Sequence, residues 1–177
     1  MLMAVFCLGA SLIGINAQEK DWANLQRYAQ QNAELPKPDK NEKRVVFMGN
    51  SITEGWVNTH PDFFKSNGYI GRGIGGQTSY QFLVRFREDV INLSPALVVI
   101  NAATNDIAEN TGAYHEDRTF GNIVSMVELA KANHIKVILT TTLPAAAFGW
   151  NPAIKDAPQK IASLNARLKA YAQTNKI

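Results

Sequence analysis

The chain has 177 residues, 46% of them hydrophobic and 19% charged, with a net charge of +3. This describes one globular domain long enough to bury a core, and it excludes disordered and fibrous classes. The positive charge is spread along the chain with no basic stripe, so nucleic acid is not an expected partner.

Residues 1–17 carry no charged side chain and end in small residues before Gln18, Glu19 and Lys20. The run reads as a secretory leader cleaved near Ala17. It is short for a membrane span and is interrupted by Gly9, Gly14 and Asn16, so export with no stable membrane anchor after processing is expected. Cys7, the single cysteine, lies inside it. The bulky Phe6 before it fits a lipid-attachment site poorly, and the mature chain is expected to hold no disulfide, CxxC zinc site or thiol nucleophile.

Residues 18–43 form the next unit. Trp22, Leu25, Tyr28 and Ala29 stand at helical spacing within 19–35, Pro36 and Pro38 stop that helix, and a polar linker follows. Residues 44–177 read as the main domain. Its first strand, 44–48, is apolar and β-branched and breaks at Gly49-Asn50-Ser51. A turn should lift Ser51 clear of the sheet edge, where its hydroxyl can act as a nucleophile and its N–H can face an oxyanion. The structural alternative is a helix capped by Ser51 or Thr53.

A helical turn at 61–65 precedes a brief strand from Tyr69 that runs into the loop Gly71-Arg72-Gly73-Ile74-Gly75-Gly76-Gln77-Thr78. Residues 79–93 place Phe82, Leu83, Phe86, Val90 and Ile91 on one helical face. The apolar run 96–100 predicts a strand covered on both faces. It ends at Asn101-Ala102-Ala103-Thr104-Asn105-Asp106. A polar loop over 108–118 leads to a helix at 120–132, a strand at 135–141, a loop with Trp150, and a last amphipathic helix at 159–173. Strand and helix alternate throughout, which predicts a parallel sheet with helices on both faces. Four strands are counted, and a fifth is expected beyond the last helix.

In such sheets the loops at the carboxyl ends of the strands converge. Those loops hold Ser51, Gly75-Gly76 and Asn105-Asp106, which supply a nucleophile, backbone N–H groups free of side chains, and a carboxamide donor. Acyl transfer needs that set.

The blocks Gly49-Asn50-Ser51-Ile52, Gly75-Gly76-Gln77-Thr78 and Asn105-Asp106 resemble the first three sequence blocks of the SGNH hydrolases, also called GDSL esterases and lipases. The resemblance implies a flavodoxin-like α/β/α sandwich and a serine esterase without metal or cofactor. It makes Ser51 the nucleophile and first oxyanion donor, Gly76 the second donor and Asn105 the third, with Asn50 and Asp106 in support. A small-molecule or glycan ester is the implied substrate, acetyl esters included, while lysophospholipids and thioesters are rivals. Oligomeric state is not legible.

The chain departs from the family pattern in three places. Asn50 stands where the family name has Asp, which removes a charge but keeps hydrogen bonding. Ala103 replaces a usual glycine, which requires φ below zero there. No DxxH pair follows Asn105. His134 falls at the wrong end of the sheet and His60 in a surface loop, which leaves His115, near Asp117, as the fallback base. The expectation is a domain incomplete at its C-terminal end, with little activity until the base is supplied.

Two other functional classes compete. Gly71–Gly76 also satisfies GxGxxG, although it follows the second strand instead of the first, as a dinucleotide fold requires. A non-catalytic module could instead hold a sugar or acyl group, with Trp56 and Trp150 as stacking surfaces.

Overall fold

The computed structural model describes residues 21–177. The leader reading, and Cys7 with it, lies outside the described residues. Four parallel strands form one sheet, β1 (Val45–Gly49), β2 (Tyr69–Gly73), β3 (Leu97–Asn101) and β4 (Lys136–Leu139), in the order β2-β1-β3-β4. The helices are α1 (Gln26–Glu34), α2 (Ser51–Thr59), α3 (Pro61–Ser66), α4 (Ser79–Asp89), α5 (Thr104–Ile107), α6 (Glu116–Ala132) and α7 (Ala157–Asn175), with a 3-10 turn at Ile91–Leu93. This is the expected α/β layering. The strand order reverses between β1 and β3, so the site should lie above their carboxyl ends.

Alternation along β1 divides two cores. Val46 and Met48, level with Val98 and Ile100 of β3, are fully buried with Phe82 and Phe86 of α4 and Met126 of α6. Burying each of those phenylalanines contributes about 1.5–3 kcal/mol. Phe47 points to the other face, where it meets Trp56 of α2, Phe64 of α3 and Tyr69 of β2 at centroid distances of 5.6, 5.4 and 5.3 Å. That second face is only partly covered. Ile138 of β4, in register with Val99 of β3, is 47% exposed, and the cover expected on both faces of the run 96–100 is complete at Val98 and Ile100 but only partial at Leu97 and Val99.

Several boundaries moved from their expected places. The first helix begins at Gln26 because the Asp21 carboxylate accepts the Leu25 and Gln26 N–H groups, at 2.8 and 3.0 Å, and closes a turn ahead of it. Trp22 is consequently exposed, and Ala23 and Tyr28 face inward. The helix α6 starts four residues earlier than its apolar stripe suggests, since its first turn, Glu116 and Asp117, is acidic and suits a helix N-terminus.

Close approach fixes how α2 leaves the sheet. A Cβ on Gly73 would sit 2.3 Å from the Glu54 nitrogen and 2.8 Å from the Asn50 carbonyl oxygen, so the first turn of α2 lies directly on the end of β2. The Gly49 carbonyl then accepts the Ile74 N–H at 3.1 Å and binds the ends of β1 and β2 together.

Candidate active site

Ser51 is the first residue of α2 and is exposed. The cap is Asn50, not Ser51 or Thr53: its backbone is extended, and its Oδ1 accepts the Ile52 N–H at 3.0 Å. Amide oxygen therefore does what an aspartate would do there, and Asn50 is buried. Among the described residues, the Ser51 hydroxyl and the Ser51 N–H have no hydrogen-bond partner.

The glycine loop comes close to it. A Cβ on Gly75 would lie 3.8 Å from the Ser51 Cβ. Gly76 has φ +75°, a conformation that favours glycine, and its N–H has no acceptor among the described residues. The Gly75 N–H donates to Glu54 Oε2 at 2.8 Å, and the Gly76 carbonyl accepts from Asn110 Nδ2 at 3.0 Å. Asn110 in turn accepts the Trp150 indole N–H at 2.9 Å.

Asn105 reaches the same loop from β3. Its Nδ2 donates to the Gln77 carbonyl at 2.9 Å, which uses one of its two hydrogens and leaves the other without an acceptor among the described residues. Asp106 does not cap its own turn. Its carboxylate accepts the Ser79 N–H and hydroxyl at the start of α4 and the Thr119 hydroxyl at 3.2 Å. The two neighbours thus tie the third loop to the second, Asn105 through the backbone of 77 and Asp106 through the helix that follows.

This arrangement overturns one expectation. Ala103 has φ +82°, not a negative value. The chain must reverse sharply between β3 and α5 to aim Asn105 and Asp106 back at residues 77–79, and the left-handed turn does so despite a cost of about 1–2 kcal/mol for an L-residue.

Burial pushes the Asp106 carboxyl above its ordinary value of 3.8, against the Ser79 and Thr119 donors that pull it down. Folding therefore favours its protonated form. The stability it contributes is fully present below 3.8 and is lost as pH rises through the raised folded value. Asp106→Asn, which does not titrate, is expected to gain on the parent in urea midpoint from about pH 3 toward neutrality. A difference that moves the other way contradicts this.

Among the described residues no histidine side chain hydrogen-bonds to Ser51, Gly76 or Asn105. His115 is exposed at the start of α6 and lines a hollow with Trp22, Tyr80, Thr111 and Arg118, while Asp117, its expected partner, is bound by Arg167 at 2.8 Å. His60 meets the Thr59 hydroxyl at 2.9 Å, and His134 is exposed ahead of β4. The GxGxxG run ends an edge strand, and its Gly75 N–H already holds a carboxylate where a pyrophosphate would need a donor. Trp56 stacks on Phe63 at 5.3 Å, whereas Trp150 is 61% exposed. Among the described residues no three His, Cys, Asp or Glu side chains could hold a metal ion, and no helix is long and apolar enough to cross a membrane.

Sequence reading missed Glu54, Asn110 and Arg85. The Arg85 guanidinium is fully buried and donates to the carbonyls of Gly49 and Arg72, at 3.1 and 2.9 Å, to Gln77 Oε1 and to Asp89 Oδ2. The signal for it was its place at the inward spacing Phe82, Arg85, Phe86, Asp89.

Residues 47–177 match the model of the GDSL-like lipase/acylhydrolase family. A provisionally named acylhydrolase from Bacteroides fragilis NCTC 9343 has a crystal structure 99% identical over 90% of this chain and 76% of that one, with a TM-score of 0.89. A GDSL-like lipase from Bacteroides thetaiotaomicron VPI-5482 is 79% identical over 88% of this chain and 76% of its own, with a TM-score of 0.87. The Bacillus subtilis (strain 168) lipoprotein YqeF is 32% identical over 56% of this chain. The chain spans about half, 48%, of the length of that curated relative. With 131 of its residues matched by the family model, the chain belongs to the GDSL-like lipase/acylhydrolase family.

Proposed function

We propose that this chain carries the nucleophile and oxyanion site of an exported serine ester hydrolase that removes short acyl groups, acetyl included, from polar alcohols such as glycans. The observation that carries the reading is the exposed Ser51 hydroxyl, at a helix start, beside a left-handed glycine whose N–H is unused. Ser51 Oγ attacks the ester carbonyl carbon. The carbonyl oxygen takes up negative charge and is held by the N–H groups of Ser51 and Gly76 and by the second Asn105 amide hydrogen. The alcohol departs with a proton, and water then releases the acid from the acyl-serine. The approach is flanked by the polar groups of Glu54 and Asn110, which suits a small acyl group on a polar alcohol better than a long alkyl chain.

Among the described residues no hydrogen bond joins a histidine to Ser51, and on this reading the base and its carboxylate are supplied from outside them. Without that base the hydroxyl stays protonated and the chain of 177 residues is weak or inactive. Export is supported by the uncharged leader and by the name of the Bacillus relative.

A binding-only role has one observation in its favour, the exposed face of Trp150 beside the glycine loop. The two readings separate on covalent trapping. A fluorophosphonate should phosphonylate Ser51 of the full-length protein with loss of fluoride, seen by peptide mass mapping, and should leave Ser51→Ala unmodified. A folded, sugar-binding protein that never labels is a binding module.

A further inference from the structure

The helix α1 precedes the family-matched residues 47–177, yet it reaches the candidate oxyanion site. Its Tyr28 hydroxyl donates to the Gly73 carbonyl, and its Arg27 Nη2 lies 3.5 Å from Glu54 Oε1. Glu54 stands one turn after Ser51 on α2 and holds the Gly75 N–H through its other oxygen, at 2.8 Å. The peptide that follows presents the Gly76 N–H. Asn110 restrains that peptide from the far side, through the Gly76 carbonyl.

We propose that Glu54, neutralised by Arg27, is a positioning residue that sets the aim of the Gly76 N–H, an inference that rests on the oxyanion role given to Gly76 above. The chemistry has two opposed parts. The hydrogen bond to Gly75 fixes a loop of two adjacent glycines, which is otherwise free to rotate its peptide. The carboxylate that makes the bond is also a negative charge close to where an oxyanion develops, and it repels that charge. Arg27 offsets the second effect without touching the first. Both side chains are partly exposed, at 42% and 28%, so solvent and salt moderate the charge effect. A neutral acceptor at 54 would keep the geometry and make Arg27 dispensable.

The test is steady-state hydrolysis of an aryl acetate by the full-length protein, read together with hydrogen exchange of the Gly75 amide by NMR. Glu54→Ala should lower kcat about 10- to 100-fold at similar KM, as expected for misaiming one oxyanion donor, and should speed exchange of the Gly75 N–H. Glu54→Gln should stay within about threefold of the parent, because its amide oxygen still accepts. Arg27→Met should lower kcat about three- to tenfold in the parent and have no further effect in the Glu54→Gln background. The proposal is overturned if Arg27→Met is equally harmful in both backgrounds, or if Glu54→Ala leaves kcat and the Gly75 amide unchanged. If the parent shows no Ser51-dependent turnover, the hydrolase reading fails, while the Gly75 exchange still decides whether Glu54 holds the loop.

Discussion

Ser51→Ala is expected to lower ester hydrolysis by the full-length protein by about four to six orders of magnitude, because the nucleophile works as a unit with its base. The thermal midpoint should hardly move. Ser51 is exposed, its hydroxyl bonds nothing among the described residues, and the helix cap is made by Asn50. Alanine is also a good residue for a first helical turn. On the proposed reading, the residual rate measures what the three proposed donors and substrate binding contribute alone. Assays of purified parent and variant on an aryl acetate, with parallel melting curves, check both halves. A variant that retains most of the rate would place the nucleophile elsewhere.

Arg85→Met is expected to have the largest effect on stability, about 3–5 kcal/mol, which is the usual cost of removing one partner from a buried ion pair. For a chain of this size that lowers the melting temperature by roughly 6–20 °C. The cost has identifiable parts. Asp89 keeps Asn32 as a donor at 2.7 Å but loses its cation, and the carbonyls of Gly49 and Arg72 and the Gln77 amide oxygen lose their guanidinium donors. Burial already pulls the Arg85 pKa down, and Asp89 pulls it back up. Arg85→Met with Asp89→Leu should recover part of the loss, since the Asp89 carboxylate is no longer stranded, but not all of it, since the carbonyls stay unpaired and the buried Arg72 loses the nearby anion that favours its charged form. Urea unfolding of the parent, the single and the double variant tests this. Full recovery in the double variant would mean that the strand-end carbonyls matter little.

The two effects meet at one place. Arg85 holds the Gly49 carbonyl at the end of β1, two residues before Ser51, and grips the Gly75-Gly76 loop from both sides, at the Arg72 carbonyl in β2 and at the Gln77 side chain. The proposed nucleophile is thus mounted on a buried cation, while the Ser51 side chain itself is exposed. Rigid support from the fold and an exposed reactive group are what a preorganised site requires.

β1 and β3 were legible in the sequence as β-branched runs stopped by Gly-Asn and Asn-Ala, and the second polar loop as a glycine-rich run after a brief strand. The supports were not. Glu54 and Asn110 are single polar residues near loops, and their partners, the Gly75 N–H and the Gly76 carbonyl, are backbone atoms that leave no residue pattern. Ala103 was misread because its composition argues for negative φ, whereas the reversal after β3 imposes the left-handed turn. The early start of α6 was hidden for a different reason: its first turn is acidic and polar, and apolar periodicity begins only where the helix meets the core.

The convergence of three donors on one point is tested most directly by a crystal structure of the full-length protein carrying a phosphonate on Ser51. The phosphoryl oxygen should lie about 2.7–3.1 Å from the Ser51 nitrogen, the Gly76 nitrogen and Asn105 Nδ2. A phosphoryl oxygen turned to solvent, or held by other groups, would contradict the account.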